Sequence, residues 1–473
     1  MVKLGVISRT EETSVRRSTK DITKVHRNRD PSLHPFERAR EYTKALVQTK
    51  MDKMFAKPFV CAMDGHKDSV YCCTNVRNKN VPFITGACDG EVKVWDLTHR
   101  MEHWSVLAHS GYVRGVAADA RGTSFFSCGD DKVIKQWALD PYSTGNAQVN
   151  DEDEALMNST NVLNASNAKT NSLKITPLQT VLSPTLLTGI DHHWTDSQYA
   201  TCGSTVQLWD STRSSDPLHT YQWGADSIHC VKFNPSESCL LGSTAADRSV
   251  VLYDLRADKP MRKFVLAMRS NKLVWNPMEP FNFLLANEDY NIYSFDMRKL
   301  DKALMIHKDH VSAVMDVSFS PTGREFVSGS YDRTLRLFRT SSGRSRDVYH
   351  TKRMQRIYCV SYSSDSRFVI SGSDDANIRV WKSDANAHLG VVAGRQQRRE
   401  QVRDTIKRRY SHMPEIKRIS KSQRLPKSIK KANNIRHIQN SSARRKHNNR
   451  VLHNDVVEQI KPERERNVIA HMT

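Results

Sequence analysis

Residues 65–96 carry the pattern that decides the fold: Gly65-His66, then Gly86-Ala87-Cys88-Asp89-Gly90, then Val92-Lys93-Val94-Trp95-Asp96. In this stretch an aspartate precedes a tryptophan by six positions, and a histidine lies upstream of both. The same arrangement returns with His109, Asp131 and Trp137. Recurrence of one motif along the chain indicates a fold assembled from copies of one supersecondary unit.

The aromatic residues of this motif are evenly spaced over residues 95–381. They are Trp95, Trp137, Trp209, Tyr253, Phe295, Phe338 and Trp381, and successive members are 42, 72, 44, 42, 43 and 43 positions apart. Six of the seven have the aspartate in the same place, namely Asp89, Asp131, Asp247, Asp289, Asp332 and Asp375. The spacing resembles the period of about 40 to 45 residues of WD repeats, in which each repeat supplies one four-stranded blade. We therefore predict an all-β, seven-bladed WD-repeat β-propeller.

Two further patterns fit a closed ring of blades. Alternating segments such as residues 92–95 and 335–338 have the period of half-buried strands. Residues 59–61 precede the first Gly-His pair, where the last strand of a preceding blade belongs. We expect this N-terminal segment to complete the last blade, which removes free sheet edges.

The resemblance to WD repeats also assigns the conspicuous polar residues. In that family the turn aspartate, the loop histidine, a strand hydroxyl and the strand tryptophan form a hydrogen-bonded network within each blade. It implies structural roles for His66, Asp89, Trp95, His109, Asp131, Trp137, Trp209, Asp247, Asp289, Asp332, Asp375 and Trp381.

The chain shows no sign of a catalytic centre. Asp191, His192 and His193 suggest a metal site, but no further ligands follow at zinc-like spacing, and the histidines stand where other blades place the loop histidine. We find no nucleophile elbow or phosphate-binding loop. We expect no catalytic residues, no metal and no cofactor.

One repeat interval is too long. Residues 138–185 are rich in asparagine and include an acidic run at 151–154, so we predict a disordered insertion between blades 2 and 3. In the third repeat Gly203 stands at the position of the turn aspartate.

The net charge of +21 is confined to the two ends of the chain. Residues 1–60 carry +7, residues 391–473 carry +15, and the part between carries −1. We predict a basic N-terminal extension (1–56), the propeller (57–390) and a basic, partly helical C-terminal arm (391–473). Such ends favour contact with a polyanion, of which nucleic acid is the first candidate, with an anionic membrane or an acidic protein as alternatives.

Cysteine usage and hydropathy suggest the compartment. The nine cysteines all lie in the neutral middle and include no C-x-x-C pair, which fits a reduced environment. The N-terminus lacks the apolar run of a secretory signal, and no apolar stretch is long enough to span a membrane. We expect a soluble intracellular protein.

The C-terminal arm combines cations with apolar anchors. Residues 394–412 are predicted to be helical, with Val402, Ile406 and Tyr410 on one narrow stripe, until Pro414 breaks the helix. The candidate RNA or partner contacts are Arg398, Arg399, Arg403, Lys407, Arg408, Arg409, Lys417, Arg418, Lys421, Arg424 and Lys427. A solvated charge run is the alternative. The later Arg444-Arg445-Lys446 resembles a nuclear-localisation element as much as an RNA contact.

Two blades end in Asp-x-Arg, with Arg256 and Arg298 as the arginines. This sequence resembles the signature by which some WD-repeat proteins join cullin-4 ubiquitin ligases through the damaged-DNA-binding adaptor. It is also a common strand end, so both interpretations stay open.

The segments outside the blades resemble the Sof family of nucleolar WD-repeat proteins. The matching stretches are residues 27–31, 33–37, 40–42 and 55–59 before the blades, and residues 410–419 and 425–429 after them. The resemblance implies a nucleolar scaffold of the small-subunit processome, whose partners are processome proteins, pre-ribosomal RNA and small nucleolar RNA. It also implies the rival function, because animal relatives look like substrate receptors of cullin-4 ligases.

Overall fold

The computed structural model describes residues 36–77, 79, 81–141, 147–148, 174–213, 216–222, 227–257, 259–453 and 463–472. The chain divides into two compact units. The larger unit is made of Lys57–Ala387 and Gln423–Thr473, and the smaller of Met1–Ala56 and His388–Ser422. Residues 27–35 of the Sof-like N-terminal segment lie outside the described residues.

Seven antiparallel sheets in the larger unit form the blades, which confirms the predicted seven-bladed propeller. Strands are numbered in chain order. Blade 1 consists of β2 Val70–Asn75, β3 Phe83–Ala87, β4 Glu91–Asp96 and β5 Met101–Leu107. Blade 2 consists of β6 Val113–Ala118, β7 Ser124–Gly129, β8 Val133–Ala138 and β11 Gln179–Leu182. Blade 3 consists of β12 Gly189–His192, β13 Gln198–Cys202, β14 Val206–Asp210 and β15 His219–Tyr221. Blade 4 consists of β16 Ile228–Phe233, β17 Leu240–Ala245, β18 Ser249–Asp254, β19 Pro260–Leu266 and β31 Val468–Met472. Blade 5 consists of β20 Ser270–Trp275, β21 Asn282–Asn287, β22 Ile292–Asp296 and β23 Met305–His307. Blade 6 consists of β24 Val314–Phe319, β25 Glu325–Ser330, β26 Leu335–Arg339 and β27 Ser345–Tyr349. Blade 7 consists of β28 Ile357–Tyr362, β29 Phe368–Ser373, β30 Asn377–Lys382 and β1 Phe59–Asp64.

The repeated aromatic residue lies on the third strand of every blade. All seven rings are at most 2% exposed, and each packs into the core of its blade. The even spacing in the sequence therefore reports the spacing of the third strands around the ring.

The ring closes through the N-terminal segment, as predicted. Strand β1 pairs antiparallel with β30, with Ala62 opposite Arg379 and Asp64 opposite Asn377. Blade 7 is thus built from both ends of the propeller sequence, and β1 covers the edge of β30 as the fourth strand.

The alternating strands are buried on both faces, which differs from the half-buried strands predicted. Lys93 is 6% exposed and Arg336 is 1% exposed, although each alternates with apolar residues. Neighbouring blades stack on both faces of each sheet, so these cations are removed from solvent and find partners within their own blade. The Lys93 ammonium lies 2.8 Å from the Glu102 carboxylate.

The long insertion lies inside blade 2, and its predicted position between blades 2 and 3 is wrong. Strand β11 pairs with β8 as the fourth strand of blade 2, so the extra residues join the third and fourth strands of that blade. A two-residue ladder between β9 Ala147–Gln148 and β10 Lys174–Ile175 begins and ends the insertion. The spacing of third-strand aromatics could not place it, because the interval also contains strands of both blades. The rest of the Asn-rich stretch, predicted to be disordered, lies outside the described residues.

The turns after the repeated aspartate need a left-handed residue. Gly90 has φ +84°, and a Cβ there would lie 2.2 Å from the His109 carbonyl oxygen. Five other blades use Lys132, Arg248, Tyr290, Arg333 and Ala376 with positive φ at the same place. Gly203, at the aspartate position of blade 3, replaces the aspartate because a Cβ there would lie 2.2 Å from the Leu186 carbonyl oxygen.

The smaller unit is helical. It contains α1 Glu37–Met54, α2 Gly394–Arg409 and α3 Pro414–Ser420, and α1 packs on both of the others. Helix α2 ends just after Lys407 and Arg408, cations that favour a helix C-terminus, and Pro414 starts α3 at a position where its missing N–H costs nothing. The sequence predicted a helix over residues 394–412, and the observed helix α2 is slightly shorter because it ends at Arg409.

Two further C-terminal elements belong to the larger unit. They are the long helix α4 Lys427–His453 and strand β31, preceded by the short helix α5 Glu463–Arg466. Among the described residues, every helix is too short or too polar to cross a lipid bilayer.

Candidate RNA- and partner-binding surfaces

The polar network of the blades is complete in blade 2. His109 lies 2.9 Å from the Asp131 carboxylate through Nδ1 and 2.8 Å from the Ser127 hydroxyl through Nε2. The Trp137 indole N–H donates to the same hydroxyl at 3.0 Å. In blade 6, His310 contacts Asp332 and Ser328 in the same way, at 2.9 and 2.6 Å.

The other blades keep parts of this network. His66 and Trp95 share the Thr85 hydroxyl in blade 1, each at 2.8 Å, while Asp89 accepts the backbone N–H of Glu91. Trp209 and Trp381 donate to Thr201 and Ser371 at 3.0 and 2.9 Å. The remaining aspartates cap their own turns: Asp247 accepts from Ser249 N, Asp289 from Asn291 N, and Asp375 pairs with Arg379. These side chains are occupied by the blade itself.

The two histidine-carboxylate groups that resemble metal sites have protein partners. The Asp191 carboxylate accepts from the Lys232 ammonium at 2.6 Å and from the Phe233 backbone N–H at 2.9 Å. His193 Nε2 lies 2.9 Å from the Ser238 carbonyl oxygen.

His66, Asp89 and Glu91 have ligand atoms within 4.8 Å of one another. However, the Lys67 and Lys93 ammonium groups lie 3.1 and 3.7 Å from the Glu91 carboxylate. The local negative charge is therefore already neutralised by lysines.

In the smaller unit, two of the predicted contact residues are used internally. The Lys407 ammonium lies 2.6 Å from Asp52 and 2.7 Å from Asp404, and the Arg409 guanidinium lies 2.8 Å from Glu41. Asp52 and Glu41 belong to α1. These ion pairs hold α2 on α1 and remove two cations from the set available to a polyanion.

The other predicted cations of the smaller unit are exposed. They are Arg398, Arg399, Arg403 and Arg408 on α2, Lys417 and Arg418 on α3, and Lys421 just after it. Arg399 and Arg403 line an open pocket of about 540 Å³ together with Arg395. The apolar stripe is only partly covered, because Val402 remains 59% exposed while the Tyr410 hydroxyl donates to Glu41 at 2.9 Å.

Arg424 and Lys427 lie on the propeller unit and lead into α4, an element that the sequence analysis missed. Residues 416–454 contain twelve Lys and Arg residues and no Asp or Glu, and α4 is the main structural element in this stretch. Arg436 holds the helix on loops of blades 5 and 6. Its guanidinium donates to the His310 carbonyl oxygen at 2.5 Å and to the Asn291 side-chain oxygen at 3.3 Å, and lies 5.0 Å from the Tyr290 ring centre.

Only the first part of α4 is anchored. Ile429 is 8% exposed, and Ile429, Ala432 and Arg436 follow the spacing of one helix face. Beyond Arg436, the cations Arg444, Arg445, Lys446 and Arg450 are exposed. The acid-free end of the helix is therefore presented to solvent.

Strand β31 is the second missed element. It pairs antiparallel with β19 as a fifth strand of blade 4, with Phe264 opposite His471 and Val265 opposite Ala470. The apolar run Val468-Ile469-Ala470 was the available signal, but strand pairing depends on backbone groups that many sequences supply.

The two Asp-x-Arg segments sit at the ends of β18 and β22. In each, the aspartate accepts the backbone N–H of the arginine at 3.0 Å. Asp96 and Asp210 make the same turn with Thr98 and Thr212, so the aspartate is structural in every case. What distinguishes blades 4 and 5 is an exposed arginine.

The two arginines differ in their surroundings. The Arg298 guanidinium makes a two-point contact with Asp296 at 2.9 and 3.1 Å and lies 4.5 Å from the Phe281 ring centre. Arg256 Nε points to the Cys239 sulfur at 3.0 Å. Arg298 also shares a small pocket of about 130 Å³ with His471 and Met472 of β31.

Comparison with known proteins agrees with this architecture. The profile of the Sof1-like domain matches residues 383–468, and that of the WD domain, G-beta repeat, matches residues 57–96, 102–138, 215–254, 301–339 and 347–382. The first three strands of blades 3 and 5 fall outside these segments.

Whole-chain relatives show the same pairing of domains. The chain is 45% identical to DDB1- and CUL4-associated factor 13 of Homo sapiens over 452 residues, which cover 96% of this chain and 95% of that protein. It is 43% identical to Protein SOF1 of Saccharomyces cerevisiae over 462 residues, covering 95% of this chain and 91% of that protein. The chain therefore belongs to the Sof1-like family of WD-repeat proteins, as its flanking motifs predicted.

Proposed function

We propose that this WD-repeat scaffold is a non-catalytic assembly factor of the small-subunit processome, the nucleolar particle built around U3 small nucleolar RNA. It acts in the processing of pre-18S ribosomal RNA and in the biogenesis of the 40S subunit. The observation that carries the proposal is the acid-free stretch of residues 416–454, whose helix α4 lies on a propeller of nearly zero net charge.

The charge distribution supports RNA as the polyanion. A 27-residue helix without one carboxylate cannot neutralise its cations by i,i+4 pairing, so bound phosphates stabilise it. Such contacts are independent of sequence, and the blades offer no base-reading module. Partner proteins on the propeller then decide where the protein binds.

The proposal is tested by purifying the tagged full-length protein from cells at moderate salt. We expect pre-18S RNA, U3 small nucleolar RNA and processome proteins to co-purify, and the protein to concentrate in nucleoli. Recovery of cullin-4 subunits with no ribosomal RNA precursor would contradict the proposal and favour the second candidate.

The second candidate is a substrate receptor of a cullin-4 RING ubiquitin ligase. It is favoured by the exposed Arg256 and Arg298 at equivalent strand ends of adjacent blades, and by the name of the relatives called DDB1- and CUL4-associated factor 13. Both functions use the same rigid ring, since a propeller presents a rim and two faces.

Substituting both arginines with alanine separates the two functions. If the ligase function applies, R256A/R298A will lose at least tenfold of the co-purified DDB1 adaptor, because an arginine at an interface centre contributes roughly 2 kcal/mol or more. Pre-ribosomal RNA recovery will not change. T98A/T212A alters the equivalent turns of blades 1 and 3 and serves as the matched control. Unchanged adaptor recovery in R256A/R298A would remove these residues from the ligase hypothesis.

A further inference from the structure

Three tyrosines from different blades meet on the propeller surface beside blade 7. Tyr358 lies in β28 of blade 7, Tyr71 lies in β2 of blade 1, and Tyr331 lies in the turn before β26 of blade 6. The ring centres of Tyr71 and Tyr358 are 6.0 Å apart, and those of Tyr331 and Tyr358 are 5.8 Å apart. All three side chains are partly exposed, unlike the third-strand aromatics that fill the blades.

A basic loop borders these rings. Residues 350–356 connect blades 6 and 7 and contain Lys352, Arg353 and Arg356 without any carboxylate. The three cations are exposed, and the Arg356 guanidinium lies 5.4 Å from the Tyr331 ring centre. On the far side of the cluster, the Arg114 guanidinium lies 5.4 Å from the Tyr71 ring centre, but it already pairs with the Asp130 carboxylate at 2.7 and 2.9 Å.

The loop is also joined to the acid-free C-terminal segment. His350 Nε2 lies 3.1 Å from the Arg424 carbonyl oxygen, and the Gln423 side-chain amide donates to the Ser345 carbonyl oxygen at 2.8 Å. The segment then enters α4, which Arg436 fastens between blades 5 and 6. The loop therefore contacts the segment that leads into α4, and both carry cations without carboxylates.

We propose that Tyr331, Tyr358 and the loop 350–356, extended by α4, form a binding site for an unpaired RNA strand. Phosphates lie against Lys352, Arg353 and Arg356, and bases stack on the two tyrosines. This inference rests on the proposed RNA-related function and adds a ligand class to it. Stacking needs unpaired bases, since bases inside a duplex have no free face.

The ring-and-cation arrangement favours RNA over an acidic protein segment. Carboxylates would be satisfied by the lysine and arginines alone and gain little from tyrosine faces. Every nucleobase, in contrast, offers a flat face for the ring and a phosphate for the neighbouring cation.

The test measures binding of the full-length protein to an oligouridine of about 15 nucleotides and to a duplex of equal length, over a salt series. Y331L and Y358L keep apolar bulk but lose the flat ring. K352Q/R353Q/R356Q removes the loop charges. The matched control is R121Q/R324Q/R367Q, which removes three exposed cations from loops joining first and second strands, at the opposite face of the propeller.

We expect each tyrosine variant to bind the single strand between roughly 5-fold and 100-fold more weakly with the salt dependence unchanged. The loop variant should lower the slope of log K against log salt by about 2, since each lost contact removes about 0.7. The control should bind like the wild type. Thermal unfolding identifies any variant that fails to fold. If a tyrosine variant fails to fold, the loop variant K352Q/R353Q/R356Q decides whether the site binds RNA, because all of its changes are exposed.

Three results would overturn the inference: tyrosine and loop variants that bind as the wild type does, equal preference for duplex, or loss of an acidic protein partner with RNA binding intact. None of these touches the proposed function. A wild-type protein that binds no RNA at low salt would instead refute the proposed function itself.

Discussion

Replacing Arg444, Arg445, Lys446 and Arg450 with glutamine will weaken RNA binding by roughly 10²- to 10³-fold at 0.1 M salt. Each phosphate contact on a single strand contributes about 0.7 to the slope of log K against log salt. The loss of four contacts therefore weakens binding by roughly 10²- to 10³-fold at about 0.1 M salt. The slope should fall by about 3. Glutamine has nearly the helix propensity of lysine and arginine, so α4 itself will persist.

The structural reason is the position of these cations on α4. Arg436 and Ile429 fix the first part of the helix on the propeller, and the four cations follow on its exposed part. At about 1.5 Å per residue, the exposed part after Arg436 reaches roughly 25 Å beyond that anchor. No carboxylate from residue 416 to residue 454 competes with phosphate.

The matched control for this prediction is K407Q/R409Q. These two cations were predicted as RNA contacts from the sequence, but both already pair with carboxylates of α1, so their removal should change affinity less than threefold. Fluorescence anisotropy with a labelled single strand measures both variants. If K407Q/R409Q lost about half as much log affinity as the four-cation variant, in proportion to the cations removed, RNA binding would depend on total charge and not on α4.

The propeller could be predicted from sequence because its repeat marks a position that every blade must fill. A third-strand aromatic, such as Trp137 or Phe338, is needed wherever a blade packs, so spacing alone gave the number of blades and the closing strand. The position of the Asn-rich insertion could not be read in the same way. It falls between two aromatics, and strand β11 has no residue type that marks a fourth strand.

The C-terminal surface was harder to predict, for a different physical reason. Helix α4 docks through an arginine that contacts carbonyl oxygens and a tyrosine, so its inward face carries little of the apolar periodicity that identifies a packed helix. Similarly, Lys407 and Asp52 are 355 positions apart, and only the fold shows that they form an ion pair. Charge counts located the cation-rich region, but they could not separate cations that pair with carboxylates from exposed cations.

A fall in stability between pH 7 and pH 5 is the second large effect expected. Burial lowers the pKa of His66 and of His307 to about 4, well below the ordinary value of 6.5. The unfolded chain takes up a proton at each site as the pH falls through about 6.5, whereas the folded chain does not until about pH 4. Each histidine therefore costs about 2 kcal/mol of folding free energy at pH 5 and nothing above pH 7.5.

The decisive comparison is H307Q against H219Q, measured by thermal unfolding at pH 7.5 and pH 5. His307 is 1% exposed and Nδ1 contacts the Ser342 carbonyl oxygen, which a glutamine amide can also reach, whereas His219 is exposed. H307Q should lose about 2 kcal/mol less than the wild type over this range, and H219Q should follow the wild type. The window lies above the usual titration of carboxylates, so protonated histidines in the unfolded chain are the main cause of the loss. A wild-type unfolding midpoint that is the same at both pH values would show that these histidines take up protons over the same pH range in the folded propeller as in the unfolded chain, and burial would then not lower their pKa.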